Sequence, residues 1–209
     1  LYLPLRRRPF YPLNYGGGLA GDCRSRTCRR PPYTGGPSVP TGTALIDTAL
    51  LETLNTRCDV VLSSVGAGHL PSLCWGMAGR LLEDRRSVEA WVREDQARDF
   101  LADVRRSGRV AAEFSEPYTS FAVQLKGRDA SVRPATPDDA PLLRRHVDNM
   151  VRELERVRFG EAFARAMFEQ AWNALAVVRF TAEAVFVQTP GPKAGQPLGD
   201  ARRGGGDAA

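Results

Sequence analysis

Gln124 and Lys126 stand two apart in the stretch SFAVQLKG, residues 120–127. In an extended chain that spacing puts both side chains on one face, where an amide and an ammonium can donate to a single bound group, a phosphate included. Phe121, Val123 and Leu125 face the other way, and Gly127 follows where such a strand can bend. The same alternation describes an ordinary antiparallel strand with one solvated face, so the question is whether a ligand covers the Gln124 side. Trp75 and Trp91 offer flat surfaces against which a planar ligand can pack, and either suits a core equally well. Other chemistries are set aside by missing groups. There is no G-x-S-x-G elbow and no G-x-x-x-x-G-K-[ST] loop, and the run Gly16, Gly17, Gly18 lies in a segment with no strand or helix pattern. Two histidines, His69 and His146, are too few for a multi-histidine metal centre, so no metal site is expected, and each fits a turn or surface role better than that of a base. Asp138 and Asp139 are neighbours that diverge on a helix, which suits capping rather than acid/base work. No catalytic residue is assigned.

The elements that would carry these residues follow from periodicity. A short helix is expected from Thr43, with Leu45, Ile46, Ala49, Leu50 and Leu54 at helical spacing, lidding one end of a sheet. CDVVLSSV and SLCWGMAGRLL read as a hairpin whose second strand has Gly76 and Gly79, invitations to a bulge. SVEAWV alternates Val88, Ala90 and Val92 against Glu89 and Trp91, and a helix from about Asp95 to Arg106 ends before Gly108. RVAAEF is the next strand. FAVQLKG and RDASV then read as one strand continued around a bend, which suits a small barrel. At TPDDA a helix begins, capped by Thr136 with Pro137 in its first position and an apolar stripe of Leu143, Val147, Met150, Val151 and Leu154. A second helix, around Glu161 to Gln170, puts Phe163, Ala166 and Met167 on a similar face, and ALAVVRF and AVFVQT are closing strands joined by the turn TAE. Strands come first, a helical pair is inserted late, and helices are missing between most strands, which excludes a parallel βαβ sheet. The expected class is mainly β with α (α+β), an antiparallel split barrel with flanking helices.

The net charge of +5 in 209 residues is unevenly placed. Residues 1–41 hold seven arginines against Asp22, which leaves 22 basic and 23 acidic groups in the other 168. That Pro-, Gly- and Arg-rich head has no sustained apolar period and is expected to be disordered and to contribute nothing to function, an RNA-binding arm being the alternative. The divisions expected are therefore the head 1–41, a folded domain 42–190 and a flexible tail 191–209. With no long apolar segment, no membrane partner and a cytoplasmic address are expected. Cys23, Cys28, Cys58 and Cys74 lack zinc-site spacing and read as reduced thiols.

Taken together, several stretches resemble the pyridoxamine 5′-phosphate oxidase-like family of flavin-binding split barrels, over about residues 45–190. VVLSSVGAGHLPSLCWGM resembles the family's opening hairpin, SVEAWVREDQARDFLADVRRSGRVAAEFSEP its third strand, phosphate-side helix and next strand, FAVQLKGRDASV its long bent strand, and AVVRFTAEAVFVQTPGP the closing hairpin of small bacterial members. The resemblance implies a homodimer that holds FMN between two barrels and acts as an oxidoreductase on a small-molecule substrate; the near-neutral charge of residues 42–209 separately argues against a nucleic-acid partner. By position, Trp91, Val92 and Arg93 match the strand end that touches the cofactor, Gln96 and Arg98 match the helix start at its phosphate, and Gln124 and Lys126 lie on the strand facing the groove. An arginine beside the N–H groups of a helix start is a sound phosphate clamp. The chain departs from the vitamin-making oxidases in carrying no basic residue along the second strand before Arg80, and Ala122 where they place a glutamine. Their substrate-binding histidine and arginine pattern is also unmatched, which argues against pyridoxamine phosphate as the substrate. Some relatives use a deazaflavin or haem, so a non-catalytic ligand-binding barrel holding such a cofactor is the alternative.

Overall fold

A computed structural model of the chain describes residues 46–66 and 69–198. The expected head, residues 1–41, lies outside them. Strands β1 (Asp59–Val65), β2 (Pro71–Leu81), β3 (Ser87–Arg93), β4 (Val110–Ser115), β5 (Ala122–Gly127), β6 (Ser131–Pro134), β7 (Leu175–Thr181) and β8 (Ala184–Val187) form one antiparallel sheet in the order β6-β7-β3-β2-β1-β4-β5-β8. Helices α1 (Thr48–Thr56), α2 (Arg98–Ser107), α3 (Ala140–Arg156) and α4 (Glu161–Phe168) flank it. The α+β reading and the antiparallel sheet with flanking helices are thus what the chain adopts.

The sheet curls until its ends meet. β5 runs into β6 around a bend, and β7 runs into β8, so the two terminal strands in the order continue strands that already lie inside it. At the corner Glu183 N–H donates to Lys126 O (2.8 Å) and Thr181 N–H donates to Asp129 Oδ1 (2.8 Å). Gly127 is required there, because a Cβ would come within 2.5 Å of Thr181 O and 2.6 Å of Phe180 Cδ2. The bent strand expected from FAVQLKG and RDASV is therefore present. The closing hairpin is not: β7 pairs with β3 and β6, and β8 pairs with β5, so TAE bends one continuing strand instead of reversing it.

Val60, Leu62, Val88, Ala90, Val92, Phe114, Val123 and Leu125 fill the interior with Phe100, Leu101 and Val104 of α2. α2 stops where expected, at Gly108 with φ 63°. α1 begins later than the apolar spacing suggests because Asp47 caps it, accepting from Leu50 N–H (2.8 Å), and Asn55 ties its end to the sheet by bonding both the N–H and the C=O of Leu81 (2.8 and 2.9 Å).

In β2 the register shifts between Gly76 and Ala78. A Cβ on Gly76 or Gly79 would strike Val60 inside the barrel, whereas Met77 and Ala78 both belong to a cluster on the outer side with Trp91, Leu143 and Val177. Two successive residues thus face outward, and the bulge resets the alternation so that Arg80 stays out of the core.

α3 lays Leu143 over that outer cluster and packs Val147, Met150 and Leu154 on α4. The face of α4 that is buried is Ala164 and Phe168, not Phe163 and Ala166; Phe163 is exposed and stacks on Phe159 at 4.7 Å. Residues 191–198, part of the expected tail, turn back onto β8: Gly195 N–H donates to Val187 O (2.7 Å), Phe186 bridges Pro197, and Leu198 enters the core. Among the described residues no helix is long and apolar enough to cross a membrane.

Candidate functional site

Register places the Gln124 face in a wider frame. Across five strands, Trp75, Val61, Glu113, Gln124 and Phe186 are successive partners in one row, and Leu73, Ser63, Ala111, Lys126 and Ala184 form the next. None of these ten side chains is buried, whereas the rows between them, such as Leu62, Ala112, Leu125 and Val185, are. The outer surface of β2-β1-β4-β5-β8 is therefore an open apolar and polar platform, with Leu73 64% and Trp75 45% exposed. On it Lys126 holds its ammonium 4.5 Å from the centroid of the Phe186 ring. Gln124 lies directly between Glu113 and Phe186. This surface can stack a planar group on Phe186 with amide and ammonium donors beside it, or on Trp75, three strands along the row from Gln124.

The end of β3 and the start of α2 build a second locus. Arg93 is held by Asp95 (2.6 Å between Nη2 and Oδ2), and that guanidinium keeps the Asp95 carboxyl below the ordinary carboxylate range. Gln96 is exposed in the turn that follows. Arg98, the first residue of α2, lines an open cleft of about 420 Å³ with Glu94, Asp95, Leu101 and Arg105. Arg98 and Arg105 are seven apart, two turns along one helix face, and neither makes an ion pair among the described residues. Ala97 caps the helix without a side-chain hydrogen bond, which leaves the first-turn N–H groups to other acceptors. A phosphate suits the unpaired Arg98 guanidinium at such a helix start, with Arg105 two turns further along the same cleft. Glu94 opposes it, while the charge of Asp95 is already matched by Arg93. The donor set fits a phosphorylated ligand through Arg98 and Arg105; the latter was legible only as the i+7 neighbour of the former.

Trp91 and Val92 are fully buried, on opposite sides of β3. Val92 faces the barrel interior, and Trp91 lies in the outer cluster beneath α3, its buried indole N–H without a hydrogen-bond partner among the described residues. The structure thus gathers Gln124 and Lys126 on the platform and Arg98 in the cleft with Arg93 at its edge, and it puts Trp91 and Val92 in the core. The cleft lining does not include Gln124 or Lys126. Cys58 and Cys74 are free thiols; burial pushes Cys74 up to about 12 and Cys58 further, so both are protonated at neutral pH and unsuited to nucleophilic work.

No protein-family model and no curated protein matches the chain. Among solved structures it is similar to HupZ of Group A Streptococcus, at 14% identity over 72% of this chain and 99% of that one, with a TM-score of 0.45. A protein related to general stress protein 26, of the pyridoxinephosphate oxidase family, from Clostridium acetobutylicum matches at 8% identity over 66% and 84% of the two chains, TM-score 0.41. An F420 reductase matches at 11% identity over 64% and 94%, TM-score 0.41.

Proposed function

We propose that this chain is a flavin-binding split-barrel protein that holds FMN between two copies and serves as an oxidoreductase toward a small substrate. The observation that carries the reading is the open two-row platform, where Phe186 lies beside Gln124 and Lys126 and the same rows continue to Val61, Leu73 and Trp75. In this reading the platforms of two copies face each other, Arg98 and Arg105 take the phosphate, and Gln124 and Lys126 donate to the ring system. FMN, when bound, supplies the electron or hydride transfer; the protein supplies position, exclusion of water and charge. Residues 1–41 take no part, so a chain lacking them binds FMN as the full chain does.

The test is a fluorescence titration of the purified full chain with FMN, together with absorbance and mass spectrometry of any chromophore that copurifies. Saturable binding is expected, and Arg98→Ala and Arg105→Ala should each weaken it by about tenfold or more, the loss of a charged hydrogen bond. Colourless protein that takes up no FMN rejects the reading. A second reading, a non-catalytic barrel holding a deazaflavin or haem, is favoured by one observation: Arg80, the first basic residue on β2, is engaged by Glu89 (2.6 Å) away from the platform. A tightly held chromophore other than FMN would select it.

A further inference from the structure

A separate cleft of about 230 Å³ opens between the end of α1, the second half of β2 and the edge of α3 that carries Leu142, Arg145, His146 and Asn149. It is lined by Asn55, Thr56, Gly79, Arg80, Leu142, Arg145, His146 and Asn149. The local charges are unequal. Arg80 donates through Nε and Nη2 to Glu89 Oε2 (2.9 and 2.6 Å), so its charge is matched. Arg145 makes no ion pair among the described residues. Of the two lining arginines only Arg145 is therefore unmatched, while Arg152, just beyond the lining, spends a donor on Asn149 Oδ1. His146, 95% buried, also lines it, and its Nε2 has no hydrogen-bond partner among the described residues. Burial lowers its pKa to about 4, so the ring is a neutral polar group at neutral pH. β2 offers backbone as well. Leu81 turns its N–H and C=O toward Asn55, and two residues back in the same strand Gly79 presents its peptide groups along the same edge. The remaining surface is apolar, chiefly Leu142.

We propose that this cleft binds a small organic monocarboxylate, its charge on Arg145 and its compact apolar body against Leu142 and the backbone of Gly79. The single excess charge suits a monoanion better than a phosphate dianion. The volume lies below the roughly 300 Å³ at which pockets for drug-sized ligands begin, which limits the body to about the size of one ring. His146 closes the floor with its ring edge-on to Phe168 at 5.7 Å and its Nε2 shielded, so the ring reports on the cleft from beneath the ligand.

The chain has two histidines, so in a His69→Gln background the imidazole proton signals report His146 alone. Titrating that full-length protein with benzoate should shift those signals saturably, while benzamide, of the same shape without the charge, should not. Arg145→Gln should weaken benzoate by about tenfold or more, with Arg145→Lys in between. Arg144→Gln, whose side chain lines a different groove beside Arg165 and Trp172, should leave the affinity unchanged. Equal shifts with benzamide, no shift at His146, equal losses in Arg144→Gln and Arg145→Gln, or a stronger Arg145-dependent response to inorganic phosphate would each overturn the proposal. FMN affinity is unaffected by Arg145→Gln, so failure here leaves the flavin reading standing, and the reverse.

Discussion

Trp75 and Trp91 lie on neighbouring strands, both on the outer surface of the same curled sheet, and meet opposite surroundings: the first is 45% exposed, the second 0%. Around Trp91 the outer surface of β2-β3-β7-β6 is roofed by α3, and its polar residues are locked in pairs. Glu89 holds Arg80 and, more loosely, Arg179, and Asp139 takes both terminal nitrogens of Arg133 (2.8 and 2.9 Å). Around Trp75 no helix among the described residues roofs the surface, and along the same rows Lys126 and Gln124 stand beside the half-buried Phe186 ring. The same alternation of residues serves a sealed layer in one half and an open platform in the other. What separates them is where the two helices inserted between β6 and β7 come to rest.

The largest effect should come from breaking the sealed half. Trp91→Ala removes a fully buried indole from the cluster of Met77, Leu143, Leu175 and Val177 and should cost about 3–5 kcal/mol in urea unfolding. A loss below about 1 kcal/mol would mean α3 does not seal this face. Next is the seam where the halves join: Gly127→Ala drives a methyl against the Thr181 carbonyl, which is backbone and cannot yield, and should cost on the order of 3 kcal/mol. The pin between β6 and the start of α3 is smaller and depends on pH. The Arg133 guanidinium, helped by the Thr136 N–H (2.8 Å), pulls the Asp139 carboxyl from 3.8 down to about 2. The folded state thus releases this proton more readily than the unfolded chain. The pair adds about 2 kcal/mol above pH 4, and the gain fades as pH falls toward 2. Asp139→Asn should remove it, so the stability gap between the two proteins should close over that range; parallel pH profiles would show that the pin does not hold the roof.

Within one strand, local pattern was enough to read the sheet. Alternation in RVAAEF and FAVQLKG assigns the inward rows because one face of each strand is buried in a single interior. Gly76 and Gly127 marked the bulge and the bend for the same reason, since each must pass close to another strand. What alternation cannot say is what covers the outward rows. Glu89 and Trp91 alternate against the inward row of β3, and pattern alone leaves their cover open; both are buried, Trp91 by the arrival of α3 from about fifty residues further along the chain. The phase of α4 was lost to a local competitor: Phe159, just before the helix, stacks on Phe163 and keeps it outside. TAE looked like a reversal because short polar turns usually are, and only the pairing of β8 with β5 shows a continuing strand. At the candidate site, Gln124 and Lys126 followed from spacing, and Arg98 from resemblance. Arg105 needed the helix face on which both arginines stand.

The open half predicts the smallest change in intrinsic stability and the most specific one in association. Trp75→Ala touches an exposed ring, so at low protein concentration the unfolding free energy should move by less than about 0.5 kcal/mol. If two platforms pack together, the wild-type melting temperature rises with protein concentration, because folding is then linked to association, and Trp75→Ala should flatten that dependence while leaving the dilute value in place. Lys126→Ala serves as the partner variant. Its contact with Phe186 is solvent-exposed and contributes only about 0.5–1 kcal/mol, so it should trim the dependence without abolishing it. A wild-type melting temperature that stays constant over a hundredfold range of concentration would mean that the platform meets no second copy. A ligand bound there would then have to be held by one chain alone, whose Arg98 and Arg105 line a cleft that does not include Gln124 or Lys126.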